Sequence, residues 1–496
     1  MSIKWLILAI TVGLYLPVAI DATVLHIAIP TLSQTLNATT AQLLWIIDIY
    51  PLLMAGLILV MGALGDRIGY RKLMLMGSII FAMASVLAAF STTANFLILS
   101  RAILACGAAM IMPATLACIR HTFNEEKERN FALGMWVVAG GAGAAFGPLI
   151  GGFLLEYFDW GAVFLINIPI VLIVIIAILK YIPKQAVKSH QHINIVDALM
   201  LITAILCLIY SLKSGLKQFE LNVIIFGLVG GILTYLFIKK QINSKQPLLN
   251  IQLFRTKSIQ YGFIISVVAM IALVGFELLI SQKLQYVYQY SPLQAGLYIL
   301  PFMLAVSVSG FFSTPLLNRF GCKKVAVYSL LLSAFSMYGL AGIDVATMDF
   351  IAIFYMVLLG LSILCAFLAA TSAILSGAPI EQAASAGAIE SMSYELGTGF
   401  GVTLFGLLAS FYYRQHVNFT ALLSTVQQQT AQNSIGETYQ ILPDLTVENA
   451  ATVMQLANTA FVEAHRSVLL ISSFILLFLA IYIAIFWKEQ HIQSNI

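Results

Sequence analysis

The stretch Gly62-Ala63-Leu64-Gly65-Asp66-Arg67-Ile68-Gly69-Tyr70-Arg71-Lys72 is echoed further along the chain by Leu316-Leu317-Asn318-Arg319-Phe320-Gly321-Cys322-Lys323-Lys324. Aligning Leu64 with Leu316 gives an offset of 252 residues. Each copy is a short basic turn with a glycine at its centre, set between two long apolar runs. Glycine suits such a turn because it reaches backbone angles that other residues resist. The first apolar run of the chain begins near residue 6, and another begins near 259, one offset further on. A turn and a helix start that recur at one spacing point to a duplicated bundle rather than to a chance likeness of one loop.

Working outward, 60% of the 496 residues are hydrophobic and 9% are charged. Soluble domains carry roughly 25% charge, so most of this surface faces something other than water. About 20 apolar residues make one helical crossing of a bilayer. Apolar windows fall near 6–28, 42–63, 73–92, 95–118, 132–155, 161–182, 195–213, 222–240, 259–281, 294–316, 325–343, 350–373, 386–410 and 466–487, fourteen in all. With the N-terminus in the cytoplasm, nineteen of the 25 Lys and Arg fall on the inner side. Five (Lys213, Lys217, Lys283, Arg414 and Arg466) fall outside, and Arg101 lies within a helix. That asymmetry follows the positive-inside rule and places both termini in the cytoplasm of a cell with a bacterial-type inner membrane.

The expected architecture is therefore an all-α polytopic membrane protein. It comprises an N-terminal six-helix half at 1–185, two inserted helices with a cytoplasmic linker at 186–250, and a C-terminal six-helix half at 251–496. A long polar outer segment near 411–465 reads either as a partly structured cap or as a disordered linker. Lys4 before the first apolar run resembles a signal peptide, but Asp21 and the lack of a small-residue cleavage site argue for a retained helix. Cys106, Cys118, Cys207, Cys322 and Cys365 lack metal-ligand spacing and read as apolar filler.

Four motifs carry a family resemblance over essentially the whole chain. The run Gly62 to Lys72 resembles the helix 2–3 loop signature of the major facilitator superfamily. Gly143, Gly147, Pro148, Gly151 and Gly152 are similar to the antiporter signature of helix 5. Asp21, Thr23, Val24, Ala28 and Pro30 resemble the helix 1 signature of the fourteen-helix drug–proton antiporters, and Gln246-Pro247-Leu248-Leu249 with Leu253-Phe254-Arg255 resembles that family's link into helix 9. Within it, Trp45 to Tyr50 with Asp48, and Glu390 to Glu395, resemble exporters of quaternary ammonium compounds and methyl viologen. There are departures: His26 stands where the family often has Asn, Leu104 and Ala105 replace Gln and Gly after Arg101, and helix 10 lacks a central acid.

The resemblance implies a major facilitator fold and alternating-access export. It makes the turn Gly62, Asp66, Arg67, Gly69, Arg71 and Lys72 a conformational latch, with plain inside charge as the alternative. Gly143, Gly147, Gly151 and Gly152 recur at helical spacing, which lets helices approach closely, while Pro148 removes a backbone donor. Together they read as a hinging seam or as static packing.

Charges at bilayer depth are costly and tend to have a role. These are Asp21, Asp48, Arg101, Glu277, Glu390 and Glu395. At ~1.5 Å per residue Asp21, Asp48 and Arg101 share a level roughly 10 Å below the outer surface. Asp21 with Arg101 is the expected proton-coupling pair, with a packing pair as the alternative. Asp48, Glu277, Glu390 and Glu395 are candidate anions for a cationic substrate, which would also need aromatic walls. His26, near the outer mouth, reads as a capping or interfacial residue before a proton relay.

The function expected is proton-coupled efflux of lipophilic cations: quaternary ammonium biocides, dyes and viologens. The alternatives are the same fold carrying a polyamine or metabolite, and a membrane enzyme or sensor. No phosphate-binding loop, catalytic cluster, metal set or nucleic-acid surface is evident. No cofactor is expected, only the proton gradient as energy source, and the chain is expected to work as a monomer in the lipid bilayer.

Overall fold

The computed structural model describes residues 3–184, 195–215, 221–244, 247–343, 349–379, 382–419 and 422–487. Lys188, Lys217, Lys245, Gln246 and Lys488 lie outside them. The described residues are helical, without a strand. In an apolar medium a spanning segment must satisfy its own backbone, and a helix does so within one segment.

The crossings are α1 (Ile3–Thr35), α2 (Thr40–Ile68), α3 (Tyr70–Ala89), α4 (Ala94–Thr122), α5 (Glu126–Tyr157), α6 (Ala162–Tyr181), α7 (Ile195–Gly215), α8 (Leu221–Asn243) and α9 (Lys257–Gln282). α9 runs on as a π-helical turn, Lys283–Val287. The run Pro292–Gly342 is 51 residues long and breaks at Gly321 (φ 77°, ψ 165°), giving α10 (292–320) and α11 (322–342). α12 (Phe350–Ser376) and α13 (Ala383–His416) follow. Two short helices, α14 (Thr425–Ala431) and α15 (Ile435–Ile441), precede the last crossing, α16 (Val447–Phe486). Thirteen helices are long and apolar enough to span a bilayer. Counting Pro292–Gly342 as two across its break gives the fourteen that the hydropathy windows predict.

The duplication is written into the backbone. Gly69 (φ 90°) and Gly321 (φ 77°), 252 positions apart, are the two glycines with positive φ among the described residues. A capping box of Thr39 and Gln42 starts α2, and one of Ser291 and Gln294 starts α10, again 252 positions apart. In both, the side-chain oxygen accepts a backbone N–H that the first helical turn leaves unpaired.

By the same offset α5 corresponds to α13 and α2 to α10, and these helices form the two crossed seams between the halves. On α5, a Cβ at Gly152 would lie 2.5 Å from Pro292 O, and one at Gly296 would lie 2.9 Å from Pro148 O. On the α2–α13 seam, a Cβ at Gly399 would meet Leu52 at 2.6 Å, and one at Gly406 would meet Leu44 at 2.4 Å. All these contacts lie away from the face that bears the chain ends. Toward that terminal face Gly134, Gly141, Gly310 and Gly387 have nothing within 4 Å of a Cβ, and Gly62 meets only Pro113 of its own half, at 4.0 Å. These close approaches between the halves gather toward the face away from the chain ends.

That face carries a cap. Residues 411–465, for which the sequence left cap and linker both open, are folded over their described part. α13 continues to His416, and α16 starts at Val447, well before the expected 466. At 40 residues α16 is about 60 Å long, so its first turns stand in the cap. Glu437 accepts from Thr40 N at 2.8 Å and from the Thr40 hydroxyl at 2.7 Å. This puts a carboxylate on the N-terminus of α2, where free N–H groups favour it. Gln440 donates to Ser33 O (2.7 Å) and Ala38 O (3.0 Å). Tyr439 donates to Tyr286 O at 2.6 Å. Partial burial raises its hydroxyl above the ordinary tyrosine range, so it stays a donor.

The inserted hairpin α7–α8 lies against α2. Ile202 packs where a Cβ on Gly56 would come within 2.5 Å of it. Asp197 of α7 takes Lys240 Nζ at 2.5 Å and Gln241 Nε2 at 2.7 Å from α8. Gln241 then accepts from Leu248 N at 2.6 Å, which ties the hairpin to the link into α9.

Candidate functional site

Asp21 and Arg101 meet. The Arg101 Nη1 donates to Asp21 Oδ2, and the side chains are 1% and 0% exposed. Arg101 Nε also donates to Ile46 O at 3.2 Å, and the guanidinium lies 4.4 Å from the Tyr50 ring centroid. Asn167, at the bend within α6, lies close to Asp21, and its Nδ2 donates to Ser85 Oγ at 3.5 Å. α1, α2, α4 and α6 thus converge on one buried carboxylate.

α1 is held on α5 by a device the sequence only half revealed. Pro148 has no N–H, so the carbonyl four residues earlier, Ala144 O, loses its helical donor. Thr23 of α1 donates to that oxygen at 2.8 Å. Gly147 makes the approach possible, since a Cβ there would sit 2.0 Å from Thr23 Oγ1. Gly143 and Gly151 admit Ala19 and Val24 of α1 in the same way, and Gly152 faces the other half. The antiporter-like glycines therefore line two packing surfaces.

Glu390 and Glu395 lie on α13. Glu395 is 5% exposed, and Glu390 is half-buried. Thr371 donates to Glu390 Oε1 at 3.2 Å. Tyr15 and Tyr394 lie within electrostatic range of both carboxylates, and Tyr50 within range of Glu395. Tyr15 stacks on Trp136 with centroids 4.0 Å apart and planes 7° from parallel, and Tyr394 meets Phe367 edge-on at 5.6 Å. Gly140 leaves room for Tyr15, for a Cβ there would be 2.4 Å from its ring. This is a pair of carboxyl groups among aromatic faces, a setting that suits flat cations through charge and cation–π contact. The aromatic residues were illegible in the sequence, where the same residue types also cover lipid-facing surface.

Asp48 and Glu277, read as candidate substrate anions, are each held by a base. Lys213 of α7 reaches Asp48 Oδ2 at 2.7 Å and lies 3.8 Å from the Trp45 ring centroid. Thr403 of α13 donates to the same oxygen at 2.6 Å. Lys213, expected in an outer loop, is 4% exposed because α7 continues past it to Gly215 and it lies against Trp45. Lys283, placed outside with it, is 3% exposed. Glu277 Oε1 lies 3.2 Å from His26 Nδ1, and both side chains are 1% exposed.

In the loop after α2, Gly69 N donates back to Gly65 O at 2.8 Å, and Arg71 donates to Leu179 O of α6 at 2.8 Å. Asp66, Arg67 and Lys72 are exposed, and Gly62 is half-buried.

With fourteen crossings, a duplicated half and these seams in hand, comparison with known proteins decides the family. The family model of the Major Facilitator Superfamily matches residues 11–402. The chain belongs to this superfamily. The transporter is 50% identical over 480 residues to the methyl viologen resistance protein SmvA of Salmonella typhimurium, covering 96% of this chain and 97% of that one. It is 32% identical over 491 residues to the multidrug efflux pump LfrA of Mycolicibacterium smegmatis, covering 98% and 96%. A crystal structure of a bacterial homolog of the human lysosomal transporter Spinster superposes with a TM-score of 0.65 at 15% identity, covering 97% of this chain and 96% of that one. That likeness bears on the fold alone.

Proposed function

We propose that this transporter exports lipophilic cations from the cytoplasm across a bacterial-type inner membrane in exchange for protons. The observation that carries the reading is the Glu390–Glu395 pair, set among Tyr15, Trp136, Tyr50, Tyr394 and Phe367 on the helices that meet between the halves. Flat aromatic mono- and dications, viologens and quaternary ammonium compounds included, match that chemistry. The kinship with a methyl viologen resistance protein supports the same class.

The excess of basic residues on one side supports cytoplasmic termini and basic loops, so in this reading the cap faces outward. A cation enters from the cytoplasmic face and is held by the carboxylates. The halves rock about the α5–α10 and α2–α13 seams, and the cation leaves beneath the cap. Asp21, with Arg101 beside it, is the proton-coupling carboxylate. Asp66, Arg67 and Lys72, exposed here, would engage the other half when the inner face closes. In this reading Asp48 is a packing charge for the inserted hairpin. The proton gradient is the energy source, no cofactor is required, and a monomer contains the whole pathway.

The test is reconstitution in proteoliposomes with an imposed pH gradient. Ethidium and methyl viologen are expected to move against the proton flux and to stop when an ionophore collapses the gradient. Active protein that moves neither cation, but moves a polyamine or a neutral metabolite, would sink the cation-export reading.

A further inference from the structure

We propose that His26 and Glu277 form a second proton-binding site, on the axis between the two halves, whose single shared proton seals the outer face. The inference rests on the export reading for the direction of the cap, and it adds a site to it.

Glu277 minus the offset of 252 is 25, so His26 and Glu277 stand at neighbouring positions of the two copies of one helix. α1 and α9 meet there across the repeat. Among the described residues neither ring nitrogen of His26 nor either oxygen of Glu277 makes a hydrogen bond, although all are buried. Their one close polar neighbour there is each other, Nδ1 to Oε1 at 3.2 Å. A buried carboxylate with no donor but a histidine beside it is stable in such a place only as a neutral acid or beside an imidazolium. Both arrangements hold one proton between the two groups. If that proton is lost, a bare carboxylate is left buried in a closed seam.

The backbone is built to hold this contact. Pro30 removes the donor for His26 O, and Ser281, one turn after Glu277, donates to that carbonyl at 2.9 Å. Gln285 donates to Ile27 O at 2.9 Å. α9 thus grips α1 through side chains that part when the outer face opens, and opening delivers both members of the pair to outer water. The charged and titratable groups around the pair are Asp21 of α1 with its partner Arg101 of α4, Tyr394 of α13 within range of Glu277, and, further along toward the cap, Lys283 beside His465 of α16. None of them supplies a hydrogen bond to the pair among those found in the structure.

The sign follows from linkage. The closed seam retains the proton, and the opened, deprotonated pair does not. Raising pH therefore favours the open outer face, by up to about tenfold in the open-to-closed ratio per pH unit for one linked proton. In the cycle, an outer proton would be required to reseal the seam after the cation has left.

The experiment reads conformation without any substrate, so it stands or falls apart from the export reading. Phe90 and Phe350 are exposed, at 70% and 83%, at the cap-side ends of α3 and α12 in opposite halves. Spin labels on Phe90→Cys and Phe350→Cys in the full chain, with the native cysteines replaced, report opening by pulsed electron resonance across a pH series. The slope of the logarithm of the open-to-closed ratio against pH is expected to fall by about one in Glu277→Gln, and to survive in Glu277→Asp and in His26→Asn, whose lone carboxyl keeps the proton. An unchanged slope in Glu277→Gln would overturn the proposal and leave the pair as packing. Should Glu277→Gln fail to fold, the double variant His26→Asn, Glu277→Gln gives the same reading.

Discussion

Lys213→Ala is the perturbation that most sharply separates this structure from its sequence. The mutation removes a cation that is 3% exposed from beside a carboxylate that is 0% exposed. Among the described residues Asp48 is then left with the Thr403 hydroxyl as its one side-chain donor. Breaking a buried pair from one side costs about 3–5 kcal/mol, because the surviving charge is uncompensated. Losing the contact with Trp45 adds about 0.5–2 kcal/mol. Replacing both partners with apolar residues of similar volume should be far milder, since no charge is then stranded. Unfolding in mixed detergent micelles, followed by tryptophan fluorescence, is the assay. Lys213→Ala should unfold far more easily than wild type, while the double variant Asp48→Leu, Lys213→Met should recover most of the loss. A Lys213→Ala protein within ~1 kcal/mol of wild type, or single effects that simply add in the double variant, would refute the argument.

Further expectations follow from the same geometry. Gly152→Ala would press a Cβ to 2.5 Å from Pro292 O, a backbone atom that cannot turn aside. The seam should part, and the outer-face label distance should lengthen; an unchanged distance would mean that the helices slide past the contact. Thr23→Val strands Ala144 O opposite Pro148, so a loss of about 1–3 kcal/mol in detergent stability is expected; Thr23→Ser, which keeps the hydroxyl, should recover most of it. Glu390→Gln and Glu395→Gln should each raise the KM for methyl viologen about tenfold, which is ~1.4 kcal/mol. Ethidium, with a single charge, should be affected less by either variant; equal losses for the two cations would argue against paired carboxylate contact.

What the sequence made legible is what the chain decides locally. Hydropathy counts the fourteen crossings because each must fill a bilayer by itself. The echo of Gly69 at Gly321 is legible because a positive φ needs glycine at the same place in both copies. Asp21 with Arg101 could be guessed from their shared depth. Lys213 could not be found, because a lysine near a helix end looks like a loop charge until the folded chain sets it against Trp45. The Tyr15–Trp136 stack and the Glu437 and Gln440 clasp of the cap depend on contacts between distant segments, and no spacing encodes those. Pro148 was visible as a missing donor, but Thr23 as its replacement required the crossing of α1 over α5.

Simultaneous recording of cation and proton movement in proteoliposomes, wild type beside Asp21→Asn, tests the central claim most directly. Ethidium fluorescence and a trapped pH dye would report the two fluxes under one imposed gradient. The account predicts opposed fluxes in wild type. In Asp21→Asn it predicts loss of the proton-driven component, while ethidium binding at Glu390 and Glu395 persists. Coupled exchange that survives intact in Asp21→Asn would contradict the assignment of proton coupling to the Asp21–Arg101 pair.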